Sequence, residues 1–202
     1  MFNSGRKFLR TSEHERRAMK SYDYAHRQGV RALSWDDFVH LSGQLAEELA
    51  RAQIERVVGI ARAGLLPATM VACMLRCELY PVRVTRRVQD EVRFATPVWR
   101  VPLAAEVAGK VVTVIDEIAD TGETLALVAE RARALGASRV ITATLVSHSW
   151  AQPAPDVCAL VSDELIVFPW DRRVLIDGAW QLHPEIAGAL KMQGKVSPEL
   201  DL

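Results

Sequence analysis

The chain has 202 residues, half of them hydrophobic, and its 25 basic and 25 acidic side chains cancel to a formal net charge of zero. That length and apolar content suffice for one sizeable core, so a single soluble domain is expected. No apolar run reaches the twenty residues that cross a bilayer, no signal-peptide pattern opens the chain, and nothing in the global charge favours nucleic acid.

Residues 1–33 form a basic extension carrying Arg6, Lys7, Arg10, Arg16, Arg17, Lys20, Arg27 and Arg31, read as an exposed, partly disordered arm or short helix. Ser34 and Asp37 then make a capping box for a helix over Trp35–Arg51, which sets Phe38, Leu41, Leu45 and Leu49 along one face. A strand over Arg56–Ile60, a helix over 66–76 and a strand over 79–84 follow. Residues 85–110 mix Arg86, Arg87, Arg93 and Arg100 with Gln89, Asp90, Glu91 and Thr96, while 92–94 and 98–101 alternate like the arms of a surface hairpin.

Five β-branched residues without a break, 111–115, read as a strand buried on both faces. A helix over 125–135 ends at Gly136, and strands over Arg139–Ser147 and 164–168 complete five core strands with intervening helices. The segment 190–202, with Lys191, Lys195, Pro198, Glu199 and Asp201, reads as a surface tail without chemical duties. Cys73 and Cys77 are four apart on one predicted helix but lack two further ligands, and Cys158 stands alone; all three read as buried thiols in a reducing cytosol.

The chemistry concentrates after the 111–115 strand. A turn at the carboxyl end of a parallel strand is where open α/β sheets bind ligands. Thr121, Gly122 and Thr124 are small or hydroxylated, so N–H groups at the next helix start can close around a phosphate, helped by the helix dipole. Asp116 and Glu117 would repel a bare phosphate; they suit sugar hydroxyls and a divalent cation. Asp120 by itself also fits an ordinary helix cap.

The run Ile115-Asp116-Glu117-Ile118-Ala119-Asp120-Thr121-Gly122-Glu123-Thr124 resembles, at every diagnostic position, the phosphoribosyl diphosphate (PRPP) signature of type I phosphoribosyltransferases. Val57-Val58-Gly59-Ile60-Ala61-Arg62-Ala63-Gly64 is similar to that family's pyrophosphate loop, with Ala63 where a first Gly is usual; alone it would pass for a turn with a solvated Arg. Leu165-Ile166-Val167-Phe168-Pro169-Trp170-Asp171 and Trp35-Asp36-Asp37-Phe38 resemble elements of the xanthine/guanine and hypoxanthine branch, so the likeness spans roughly 34–175.

The resemblance implies an α/β type I phosphoribosyltransferase fold over 34–189: a central parallel five-stranded sheet flanked by helices, a mobile loop over 85–110 and a small hood over 148–185. It implies transfer of the 5-phosphoribosyl group from PRPP to a nitrogen of a nucleobase, an oxopurine such as xanthine, guanine or hypoxanthine, in a cytoplasmic homodimer. Neither a membrane nor a nucleic acid is an expected partner. Asp116, Glu117 and Asp171 would serve Mg2+, though Asp171 also fits a plain turn. Asp120, Thr121, Gly122, Glu123 and Thr124 would hold the 5-phosphate. Arg62, Ala63 and Gly64 would take pyrophosphate through a loop with a non-trans peptide. Asp120 would act as general base beside Asp116 and Glu117.

Acceptor recognition departs from that pattern. His148 stands where the purine branch implies a Lys that donates to the exocyclic oxygen, and Leu165 stands where an aromatic ring is implied. Those two, with Ile166, are the base-binding candidates; His148 also fits a surface or helix-capping role, and Phe168 and Trp170 read as core. A PRPP-sensing regulator that binds nucleic acid through the basic arm, or a transferase with a non-purine acceptor, is compatible with the same residues.

Overall fold

The computed structural model describes residues 27, 29–88 and 91–194, with backbone alone at 87, 88, 91 and 92. Arg6, Lys7, Arg10, Arg16, Arg17 and Lys20 lie outside the described residues, as do Lys195, Pro198, Glu199 and Asp201. Strand β1 (Val30–Ala32) leads into α1 (Trp35–Arg51), followed by β2 (Arg56–Ile60), α2 (Leu65–Leu75) and β3 (Glu78–Thr85). Two short strands, β4 (Arg87–Val88) and β5 (Glu91–Val92), precede β6 (Val98–Val101), β7 (Val111–Ala119), α3 (Glu123–Ala134) and β8 (Arg139–Ser147). The chain ends through β9 (Val157–Val161), β10 (Leu165–Val167), the hairpin β11 (Arg173–Ile176) and β12 (Ala179–Leu182), and α4 (Pro184–Met192).

Helix α1 forms where its sequence places it. The Ser34 backbone N–H donates to Asp37 Oδ2 at 2.8 Å and the Asp37 N–H donates to Ser34 Oγ at 3.0 Å, so two end donors are satisfied reciprocally. Phe38, Leu41, Leu45 and Leu49 are all buried.

The central sheet has the order β6-β3-β2-β7-β8-β9, parallel throughout except for the antiparallel edge strand β6. Its residues alternate between two cores, as a strand's period of two requires. Val57 and Ile115 face α1 and α2, whereas Val58, Val112 and Val114 face α3. With both faces covered, these five side chains are fully buried.

Three expectations change here. The fifth parallel strand is β9, and the segment expected to supply it forms β10, which pairs in parallel with β1 in a separate two-stranded sheet. Both runs are short and apolar, so periodicity alone does not rank them. Next, the strand expected over 111–115 continues to Ala119, because β8 keeps pairing with it through Asp116↔Thr144, Ile118↔Val146 and Ala119↔Ser147. Finally, Cys73 is exposed, Cys77 lies beyond the end of α2, and Cys77 and Cys158 are half-buried, so none of the three thiols is fully buried.

A third apolar cluster joins Leu165 and Val167 of β10 to Ile186, Ala189 and Leu190 of α4. No described helix is long and apolar enough to cross a membrane.

Candidate active site

Strand β2 pairs with β7 only as far as Gly59↔Ile115, whereas β8 accompanies β7 to its end. Past Gly59 the chain parts from β7, although Ile60 still pairs with Val82 of β3, and it enters the 61–64 loop, opening a crevice beside the end of β7. Since β2 connects through α2 to β3 on one side and β7 through α3 to β8 on the other, this crevice is the topological switch point of the sheet.

The walls approach closely. A Cβ added to Gly64 would lie 2.5 Å from Asp116 Oδ1 and 2.6 Å from the Ile60 carbonyl oxygen, so only glycine fits. The Ala61–Arg62 peptide is cis, in the loop where the family likeness implies a non-trans bond. Arg62 is exposed, Ala63 half-buried and Gly64 buried.

On the other wall, Gly122 sits in the left-handed region at φ +83°, and a Cβ there would fall 2.2 Å from the Pro153 carbonyl oxygen. Glycine therefore lets the 121–124 turn tuck beneath the 148–153 segment. The Gln152 N–H donates to the Thr121 carbonyl at 2.9 Å, and the Glu123 N–H reaches Thr121 Oγ1 at 3.4 Å. Gly122, not Asp120, is the N-cap of α3, and no side chain caps it. The start of α3 thus offers backbone donors to an anion.

The acidic pair is electrostatically tense. Loss of solvent and then the neighbouring Glu117 carboxylate push Asp116 well above the usual carboxylate range, although the Glu117 N–H donates to Asp116 Oδ1 at 3.0 Å. Asp171 is also raised, first by burial and then by Glu117, with His183 and Arg62 pulling the other way. The interaction brings Asp171 within electrostatic reach of both the acidic pair and the 61–64 loop.

A cavity of about 110 Å³ is lined by Asp116, Glu117, Asp120, Thr121, Gly122 and Thr124, together with His148 and Arg27. Among the expected site residues, Glu123, the first residue of α3, lies outside that lining, as do Arg62, Ala63, Gly64 and Asp171. Leu165 and Ile166 are buried in two different apolar clusters and do not line the cavity. Phe168 and Trp170 stack at 4.8 Å between ring centres, and Trp170 meets Phe38 edge-on at 5.3 Å, as core residues do.

Arg27 was expected in an exposed arm. Instead it is 9% exposed, and its Nη2 donates to Asp120 Oδ1 at 2.7 Å. Its guanidinium carbon lies 4.2 Å from the centre of the Trp150 ring, which stacks on His148 at 4.5 Å and donates from Nε1 to Asp120 Oδ1 at 3.2 Å. One Arg among eight basic residues carries no local mark of this role, and its partner is 93 positions away.

Comparison with known proteins gives the same picture as the geometry. Residues 33–177 match the family described as phosphoribosyl transferase domain. A xanthine-guanine phosphoribosyltransferase of Cereibacter sphaeroides is 32% identical over 161 residues, covering 78% of this chain and 89% of that protein. Another of that name, from Idiomarina loihiensis, is 28% identical over 141 residues, covering 69% and 85%. The crystal structure of a purine phosphoribosyltransferase from Pyrococcus horikoshii superposes with a TM-score of 0.65 at 30% identity, over 73% of this chain and 97% of that one.

Proposed function

The chain belongs to the phosphoribosyltransferases, and from that premise we propose that it transfers the 5-phosphoribosyl group of PRPP to a ring nitrogen of an oxopurine, releasing pyrophosphate. The observation that supports this most is the crevice between β2 and β7, where Asp116 of the acidic pair faces the Gly64 loop across a gap too narrow for a methyl group. The relatives named for xanthine and guanine favour a purine acceptor.

In this reading the 5-phosphate rests against the N–H groups at the start of α3, with the hydroxyls of Thr121 and Thr124 beside Asp120, Gly122 and Glu123. Asp116 and Glu117 accept from the ribose hydroxyls. Arg62 and the amides of Ala63 and Gly64 receive the pyrophosphate as its bond to the anomeric carbon breaks and the bond to the base nitrogen forms. Asp120 takes the proton that this nitrogen gives up. Anchoring the remote phosphate lets its binding energy orient the reacting carbon. Within the 85–110 region β6 is paired with β3 and Leu103 and Val107 are buried, so only the part before β6 is left to close over the site against water.

The carboxylates present fit Mg2+. Asp116, Glu117 and Asp171 are hard oxygen donors whose mutual repulsion a cation relieves. Among the described residues no cluster of three or more His, Cys, Asp or Glu forms a metal site by itself. In this reading one or two of these carboxylates hold the cation together with the oxygens of PRPP. Bound there, it would neutralise charge on the leaving diphosphate. The reading carries with it a homodimer in the cytoplasm.

Incubation with PRPP, MgCl2 and xanthine, guanine, hypoxanthine or adenine in turn tests it, with pyrophosphate and nucleotide measured together. Nucleotide formed from an oxopurine is the expected result. PRPP binding without pyrophosphate release for any base would make the protein a sensor, and release with a non-purine heterocycle alone would move the acceptor class.

A further inference from the structure

The candidate general base is gripped at one of its two oxygens. Arg27 Nη2 donates to Asp120 Oδ1 at 2.7 Å, and Trp150 Nε1 donates to the same oxygen at 3.2 Å. No described residue donates to Oδ2, and Asp120 lines the cavity. Holding phosphate, ribose and pyrophosphate employs neither of these two donors.

Each donor is itself fixed. Arg27 is 9% exposed, its carbonyl accepts from the Gln193 side-chain amide just beyond α4, and its guanidinium lies over the Trp150 ring. The Trp150 ring in turn stacks on His148, whose Nδ1 donates to the Ser162 carbonyl at 2.6 Å. Between those two rings, Ser149 donates from both its N–H and its Oγ to the Asp163 carboxylate, each at 2.8 Å. The turn after β8 is thus pinned to the segment after β9, and Trp150 with it.

A carboxylate rotates about its Cβ–Cγ bond and can present either oxygen, whereas a general base works only when one oxygen stays within hydrogen-bond reach of the proton it removes. Supporting groups that are locked by their own contacts supply that restraint. We propose that Arg27 and Trp150 are positioning residues for the transfer step: by engaging Oδ1 of Asp120 they hold Oδ2 toward the acceptor nitrogen. The nitrogen keeps the electron pair of its N–H bond for the anomeric carbon, and the proton passes to Oδ2. This rests on the phosphoribosyl-transfer reading above and assigns to the chain ahead of β1 a part in its chemistry.

The test reads the rate of nucleotide formation in a single turnover, with the full chain in excess over hypoxanthine or guanine and PRPP and MgCl2 saturating. PRPP affinity is measured beside it by calorimetry. Trp150→Phe keeps a ring against Arg27 and His148 but removes the N–H, and the rate should fall about tenfold, as for one lost hydrogen bond to a charged group. Arg27→Ala should lower it about tenfold or more while PRPP affinity moves less than about threefold, and Arg27→Lys, which still donates to a carboxylate, should recover part of the loss. In an Asp120→Asn background the same substitutions should lower the residual rate by less than about twofold, because residues that act through one group are not additive.

A rate for Trp150→Phe within about twofold of wild type, or a faster one, overturns the proposal, and this variant decides alone should Arg27→Ala fail to fold. An Arg27→Ala rate equal to or above wild type overturns it too, as does an equal loss of PRPP affinity or an undiminished effect in the Asp120→Asn background. In each of those cases wild-type turnover is intact and the transferase reading survives. Absence of wild-type turnover with every purine sinks that reading and this one with it.

Discussion

Gly64 and Asp116 are in contact across the crevice: a methyl group on the glycine would sit 2.8 Å from Asp116 Cα as well as 2.5 Å from its Oδ1. Backbone atoms cannot swing aside as a side chain can. Gly64→Ala should therefore push the 61–64 loop away from β7, destabilising the fold by about 1–3 kcal/mol as overpacking does. PRPP should then bind more than about tenfold more weakly, the equivalent of ~1.4 kcal/mol. Thermal unfolding and calorimetric titration of PRPP with MgCl2 measure the two effects, and wild-type values in both would show that the close approach has no bearing on binding.

Glu117 raises the proton affinity of both Asp116 and Asp171. A carboxyl whose folded pKa lies above its unfolded value stabilises the fold at low pH and loses that contribution as pH rises through the folded pKa. At neutral pH the acidic cluster thus works against the fold. Glu117→Gln should raise Tm at pH 7–8, by about 2–4 °C for each ~1 kcal/mol relieved in a chain of this size. The same variant should weaken PRPP binding in the presence of MgCl2. A lower Tm would mean that the repulsion is already compensated.

Asp120→Asn separates binding from chemistry. Loss of a general base should lower kcat by about 10²–10⁴-fold while PRPP affinity, read by calorimetry, stays within a few-fold. Equal loss of turnover and affinity would assign Asp120 to holding the phosphate.

His148 makes the protein acid-sensitive in a defined direction. Its proton affinity is lowered from the ordinary 6.5 by burial and by Arg27, against smaller raising effects from the Ser162 carbonyl, Asp120 and Asp163. As pH falls, the unfolded chain takes the proton first, so the stability tied to the neutral ring is present above pH 6.5 and drains away below it. Tm measured from pH 8 to pH 5 should fall more steeply in wild type than in His148→Gln. Parallel curves would show that the ring titrates as it does in the unfolded chain.

Elements fixed by local patterns lie where the residues place them. Helix α1 occupies Trp35–Arg51 with its capping box made, and strands Arg56–Ile60 and Arg139–Ser147 have the bounds their composition implies. Helix α2 runs Leu65–Leu75, one residue earlier than expected, because Arg76 turns into the left-handed region at φ +58° and closes it. Such features depend on neighbours a few positions apart, so they are visible in one dimension.

What the amino-acid order determined by itself is the run from strand through acidic pair to glycine turn. Its chemistry depends on residues 115–124 keeping their local spacing, whatever surrounds them. Tertiary structure alone decided that β9 rather than β10 completes the parallel sheet, that Leu165 packs on α4 instead of lining the cavity, and that Arg27 reaches Asp120. Each of these is a competition among partners far apart in sequence, settled by which burial and pairing the whole chain can satisfy at once. A buried guanidinium has to find its carboxylate, and nothing near Arg27 in the sequence says which one it meets.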